Sequence, residues 1–171
     1  MDGKGKDMIS MSEGVRVILV GVGATVVMDV WSLILKGLGR PTLNLAMVGR
    51  WAGHAWKGRV VHAGIAQDAP VPGESALGWM VHYAVGIVFS AVLAGVCGTA
   101  WLHAPTWPPA LAVGLATAAM PLFVMQPAMG AGIASSRTPA PLKNCLRSLL
   151  AHAVFGCGLY LSAVALKQVW V

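Results

Sequence analysis

Charge is what this sequence has least of. Only 11% of its residues are Asp, Glu, Lys or Arg, and six are acidic. Soluble domains carry about 25%. With 57% hydrophobic residues and a mean hydropathy of +0.71, the chain cannot coat a water-facing surface with charge. Lipid as the solvent removes that requirement. Cysteine is scarce too. Cys97, Cys145 and Cys157 form no C-x-x-C pair. Cys145 and Cys157 fall about 18 Å apart on one predicted helix, too far for a disulfide, so the cysteines read as small packing residues. No H-E-x-x-H is present, and "GVGATV" at Gly21 lacks the third glycine and the preceding strand of a dinucleotide fingerprint. The net charge of +6 raises nucleic-acid binding. Without a recognition helix, an aromatic platform or zinc spacing, nucleic acid is not an expected partner.

Long apolar runs are what is there. Residues 15–38, 76–101, 108–129 and 145–169 are each long enough to cross a bilayer, which needs about 20 apolar residues. Each must be helical, because open sheet edges do not survive in lipid. The expectation is an all-α, polytopic four-transmembrane-helix bundle, a single membrane domain over 1–171. The apolar run after the N-terminus is too long and lacks the cleavage site of a signal peptide, so it reads as a retained first span. The first long connection includes "LNLAMVGRWAGHAWKG", which suits an interfacial amphipathic helix over 43–58. Pro121 should kink the third span and Pro127 should end it. Gly86, Ser90, Ala94 and Gly98 make one ridge of small residues, and Ala110, Gly114 and Ala118 another. Such ridges let helices approach closely, within a chain or in a homo-oligomer.

Basic residues set orientation. The first and third connections hold Arg40, Arg50, Lys57, Arg59, Arg137 and Lys143, with Lys36 and Arg147 at helix ends. The opposite side holds Lys4, Lys6, Arg16 and Lys167. That balance favours cytoplasmic connections and both termini outside, although the N-terminal trio pulls the other way. Trp101, Trp107 and Trp170 fall near the outer face and Trp51, Trp56 and Trp79 near the inner one, as an aromatic belt.

The unusual group is Asp29, inside "GATVVMDVWS". An ionisable group in a span is costly and usually faces the bundle interior or a wet cavity. From the rise of a helix, Asp29 lies about 14 Å, His82 about 9 Å and His152 about 11 Å from the side of the long connections. Met125 and Gln126 lie slightly nearer that side. Cys97 and Thr117 are the most polar groups of the other half. Asp29, His82, His152 and Gln126 therefore form a candidate polar cavity, with Trp31 beside Asp29. One reading is an Asp–His hydrogen bond stapling two helices. A second is a metal site: Asp29, His82 and His152 suit zinc or iron, and Met28, Met80, Met125 or Met129 would add soft ligands for copper. A third is a path for a proton or small cation. A hydrolytic triad of Ser148, His152 and Asp29 is also drawable.

"MQPAMGAGIASSRTPAP" is the other unusual stretch. Ser135, Ser136, Arg137 and Thr138, with Arg50 and Arg59 from the first connection, could bind an anion or a lipid headgroup. The stretch is no P-loop, since no G-K-[ST] follows. His54, His62 and His103 read as solvated residues of the connections.

The strings "GATVVMDVWS", "LNLAMVGRW", "PVPGE", "GWMVHYAVG", "MQPAMGAGIASSRTP" and "AHAVFGCGLYL" resemble a bacterial integral-membrane family catalogued as a domain of unknown function, DUF2938. The resemblance covers about Gly14 to Leu166. It implies a small multi-span protein of the bacterial inner membrane, and it brings no catalytic or ligand roles. The lipid bilayer is the expected partner. The functional expectation is a channel- or transporter-like protein for a small cation or proton. The alternatives are a metal-binding membrane enzyme or electron-transfer component, and a non-catalytic subunit of a membrane complex.

Overall fold

A computed structural model describes residues 11–169. Lys4, Lys6 and Trp170, used above for orientation and the aromatic belt, lie outside the described residues. Four helices are long and apolar enough to cross a membrane: α1 (Met11–Gly37), α3 (Glu74–Cys97), α4 (Trp107–Ala128) and α5 (Pro141–Val169). Between α1 and α3 lies the shorter α2 (Leu45–Ala55). Among the described residues there is no strand. The chain is an all-helical, multi-pass membrane protein.

The helix ends follow local chemistry. The Asn44 side chain accepts from the Ala46 amide and caps α2. Gly73, at φ +74°, turns the chain into α3, and Gly98, at φ +79°, turns it out. The second apolar run therefore stops as a helix at Cys97 and continues as a 3-10 turn over Thr99–Leu102. Pro108 and Pro109 sit in the first turn of α4, where their missing N–H groups cost nothing. Pro121 has the expected local effect: α4 widens into a π turn over Met120–Met125 before its last turn, Gln126–Ala128. Pro141 opens α5 four residues before the apolar run begins.

The spanning helices pack in the order α3, α1, α5, α4, and α4 returns to touch α3 more sparsely. Close approach sets this order. A Cβ on Gly114 would strike the backbone of Gly156 where α4 crosses α5. Most small-residue ridge positions are consumed inside the chain: Gly86, Ser90, Ala94, Ala110, Gly114 and Ala118 are buried, and Gly98 is exposed. They carry no argument for a homo-oligomer. The core between the spans includes Val20, Ala24, Leu93, Phe155 and Leu159. Trp101 is buried in this core instead of standing in an aromatic belt. Trp56, Trp79 and Trp107 are exposed.

α2 packs on α3. Gly49 and Gly78 face each other there, and a Cβ on either would enter the other helix's backbone. Val48, Arg50 and His54 are buried. The connection after α2 then docks on the end of α4. The His62 and Ile65 amides donate to the Ala128 and Met129 carbonyls at 2.8 and 3.0 Å.

Candidate functional site

Asp29 lies eight residues before the end of α1, and His82 eight residues after the start of α3. Both are therefore about 12 Å from the connection side, and they meet. His82 Nε2 is 2.9 Å from Asp29 Oδ1. The Tyr83 hydroxyl donates to Asp29 Oδ2, also at 2.9 Å. Asp29 thus has one partner on each oxygen, and Trp79 meets His82 edge to face and Tyr83 at a tilt. A lone carboxylate at this depth would be costly. A carboxylate paired with imidazolium, or a carboxylic acid paired with neutral imidazole, carries no net charge.

His152 forms a second, deeper layer. Its Nδ1 is 2.8 Å from the Thr117 hydroxyl, which in turn donates to the Gly114 carbonyl at 2.6 Å. Both residues lie 11 residues from the connection-side ends of their helices, about 16 Å. Thr117 therefore stands at mid-span, level with His152, 10 residues from the far end of α4 and 11 from the near one. Phe89 and His152 meet edge to face, as do Phe89 and Phe155.

The two layers share a cavity of about 230 Å³. His82 and His152 both border it, as do Met28, Phe89, Met120 and Met125. Leu43, Leu45, Val48 and Trp51 supply its roof from α2 and the residues before it. Trp51 is held by its Nε1, which donates to the Val60 carbonyl. Asp29 reaches this space only through His82. Trp31 does not border it, and its Nε1 is buried without a partner. Gln126 turns away to accept from the buried Ser135 hydroxyl at 2.8 Å.

Two expected constellations do not assemble. Among the described residues, no three His, Cys, Asp or Glu side chains converge as metal ligands. Asp29 and His82 meet each other while His152 meets Thr117 in a deeper layer, so the three side chains do not converge. The triad fails for the same reason: His152 Nδ1 is directed at Thr117, and Asp29 is paired with His82.

The residues expected to meet anions divide into two groups. Arg50 is bound to Glu74, Arg59 pairs with Asp68 at 3.4 Å, Ser135 goes to Gln126, and Thr138 donates to the Ser135 carbonyl. Only Ser136 and Arg137 face an open depression, with Val61 and Pro127 on its rim. His54 and His62 are buried rather than solvated, 7% and 5% exposed. His62 pairs through Nδ1 with Asp68 and through Nε2 with the Arg59 carbonyl. His54 Nε2 meets the Ala69 carbonyl at 3.0 Å.

Tyr83 and Thr117 are the functional candidates that the sequence did not place at the site. Tyr83 had one available signal: it is one of only two tyrosines and it adjoins His82. Thr117 had none beyond being a hydroxyl in a span.

Fold and site together define a multi-pass helical membrane protein with a paired carboxylate and imidazole between its spans. The chain belongs to the family described as "Protein of unknown function (DUF2938)", which it matches over residues 18–166. No curated protein and no solved structure matches it.

Proposed function

We propose that this is a channel- or carrier-like protein of the bacterial inner membrane that handles protons, with the Asp29–His82 pair as its working group. The observation that carries this reading is the 2.9 Å contact between Asp29 and His82, two ionisable side chains on different spans, one of which also borders a cavity. Ionisable groups inside spans mark proton relays and ion paths, and imidazole is the side chain best suited to gain and lose a proton near neutrality. The same contact favours a proton over a metal-like cation. Both Asp29 oxygens are already engaged, and Asp29 does not border the cavity. Eight basic residues on the connection side against four opposite support cytoplasmic connections.

Proteoliposomes with an internal pH-sensitive dye test the proposal. Wild-type protein should collapse an imposed pH gradient, and Asp29→Asn should reduce the rate to that of empty vesicles. Equal rates for wild type and empty vesicles would leave the pair as a helix staple. In that case Asp29→Asn would lower thermal stability and change no flux.

A further inference from the structure

The cavity between α3 and α4 is closed by α2 and walled by thioether, aromatic and branched aliphatic groups. Two imidazoles and the Thr25 hydroxyl, which donates to the Gly21 carbonyl, break that apolar lining, and hydrogen bonds fix what the imidazoles present. The single hydrogen of Thr117 is spent on the Gly114 carbonyl. Thr117 can therefore only accept from His152, which places a hydrogen on Nδ1. The other nitrogen of neutral His152, Nε2, is then a bare acceptor. His82 is the opposite case. Its Nε2 faces Asp29. In the ion pair, and in the neutral pair with the carboxylic acid donating to Nε2, the remaining hydrogen of His82 is on Nδ1. The residues bordering the cavity thus include one imidazole with a hydrogen to donate and one with a free acceptor nitrogen.

We propose that this cavity binds a small neutral molecule carrying one hydroxyl on an apolar body, of the alkylphenol type. Nδ1–H of His82 donates to the hydroxyl oxygen, and Nε2 of His152 accepts its hydrogen. A hydroxyl is the smallest group that satisfies both at once. The volume sets the size. An apolar cavity of about 150 Å³ holds benzene, so about 230 Å³ holds a ring with a short chain. A phospholipid or a haem is far too large. Val85, Met120 and Val124 border the cavity and are also exposed on the surface of the spans, which gives a ligand dissolved in the bilayer a way in between α3 and α4. This inference rests on the proton-handling reading for the state of the Asp29–His82 pair.

The test uses full-length protein in lipid nanodiscs with 13C-methyl methionine. 4-Propylphenol and propylbenzene are titrated at matched bilayer concentrations. The phenol should shift the Met28, Met120 and Met125 methyl signals saturably, at about one tenth of the propylbenzene concentration or less, as one or two added hydrogen bonds predict. His152→Leu should remove that difference, and Val85→Trp should abolish both titrations. No saturable shift, equal midpoints in wild type, or a preference that survives His152→Leu would each overturn the assignment. The wild-type comparison needs no variant to fold. Phenol preference without proton flux sinks the proton-handling reading and leaves the binding site. Flux that depends on Asp29, without phenol preference, sinks the binding site alone.

Discussion

Arg50 and Glu74 are joined by a two-pronged ion pair, with Nε and Nη2 each 2.8 Å from a different carboxylate oxygen. The remaining guanidinium nitrogen donates to the Ala66 and Asp68 carbonyls at 3.3 and 3.1 Å. Glu74 Oε2 also accepts from the Val71 amide. One side-chain pair thus fastens α2, the connection behind it and the first turn of α3. The hydrogen bond with Glu74 raises the Arg50 guanidinium above its already high ordinary value, so its charge is permanent. Because α2 carries part of the cavity's roof, this clamp also holds the roof in place.

Loss of that clamp should be felt in stability before function. Arg50→Ala should lower the unfolding temperature in detergent more than Arg59→Ala does, since Arg59 makes a single long contact to Asp68 from an exposed position. Arg50→Lys should fall between wild type and Arg50→Ala, because an ammonium keeps the charge but not the planar fork. Equal unfolding temperatures for Arg50→Ala and Arg59→Ala would show that the fork contributes nothing beyond a surface pair.

The contact of Gly49 with Gly78 predicts a contrast among glycines. A methyl group at either position enters opposing backbone, not a movable side chain. Gly49→Ala and Gly78→Ala should each cost about 1–3 kcal/mol. Gly95, also inside α3, has nothing within 4 Å of its would-be Cβ. Gly95→Ala should stabilise the helix by about 0.5–1 kcal/mol. Unfolding by denaturant in mixed micelles ranks the three, and a neutral Gly49→Ala would mean that α2 is not seated against α3.

Much of this arrangement was legible because a helix has a fixed rise per residue. Counting residues from the connection side placed Asp29 and His82 at similar depths, and they meet. The same arithmetic set His152 too shallow because it started the last span at Cys145. The helix starts at Pro141, a residue compatible with a first turn, and that carries His152 about 6 Å deeper, to the level of Thr117. The first connection was harder to read. An apolar stripe bearing Arg and His fits a lipid interface as well as a protein groove. Contacts with residues far along the chain, Arg50 with Glu74 and Gly49 with Gly78, seat it against α3. Gln126 and Ser135 both stand out in the sequence, but no spacing rule shows that they satisfy each other.

Acid should release the first connection from α4. The hydrogen bond from His62, the largest cause, holds the Asp68 carboxyl below its ordinary value, with the charges of His62 and Arg59 adding to it. A carboxyl whose folded value is depressed stabilises the fold above its ordinary value, about 3.9. That contribution is lost as pH falls from there through the lower folded value. Exchange of the His62 and Ile65 amides, which hold the connection to Ala128 and Met129, should therefore accelerate below about pH 4 after correction for intrinsic rates. Asp68→Asn should show faster exchange at neutral pH and no such acid step. An acid step that persists in Asp68→Asn would assign it to another carboxyl.

The hydroxyl of Thr117 decides which nitrogen of His152 carries the hydrogen. With its own hydrogen directed at the Gly114 carbonyl, it accepts from His152 Nδ1. Nitrogen-15 spectra of the labelled protein should show His152 as the Nδ1–H tautomer, the less common form of a free neutral imidazole. Thr117→Val keeps the shape of the side chain but removes the acceptor. It leaves the Nδ1–H unpaired in a water-poor interior, at a cost of about 1–3 kcal/mol. The ring is then free to move its hydrogen to Nε2, and the spectrum should shift toward that form. Loss of the tautomer preference would carry through to the cavity, because Nε2–H offers a donor where the wild type offers an acceptor. Thr117→Val should consequently weaken the preference for a hydroxylated ligand as much as His152→Leu does, while leaving the apolar walls and the Asp29–His82 contact intact. A wild-type spectrum with His152 already in the Nε2–H form would show that Thr117 donates to the ring instead, and would reverse the polarity assigned to that wall.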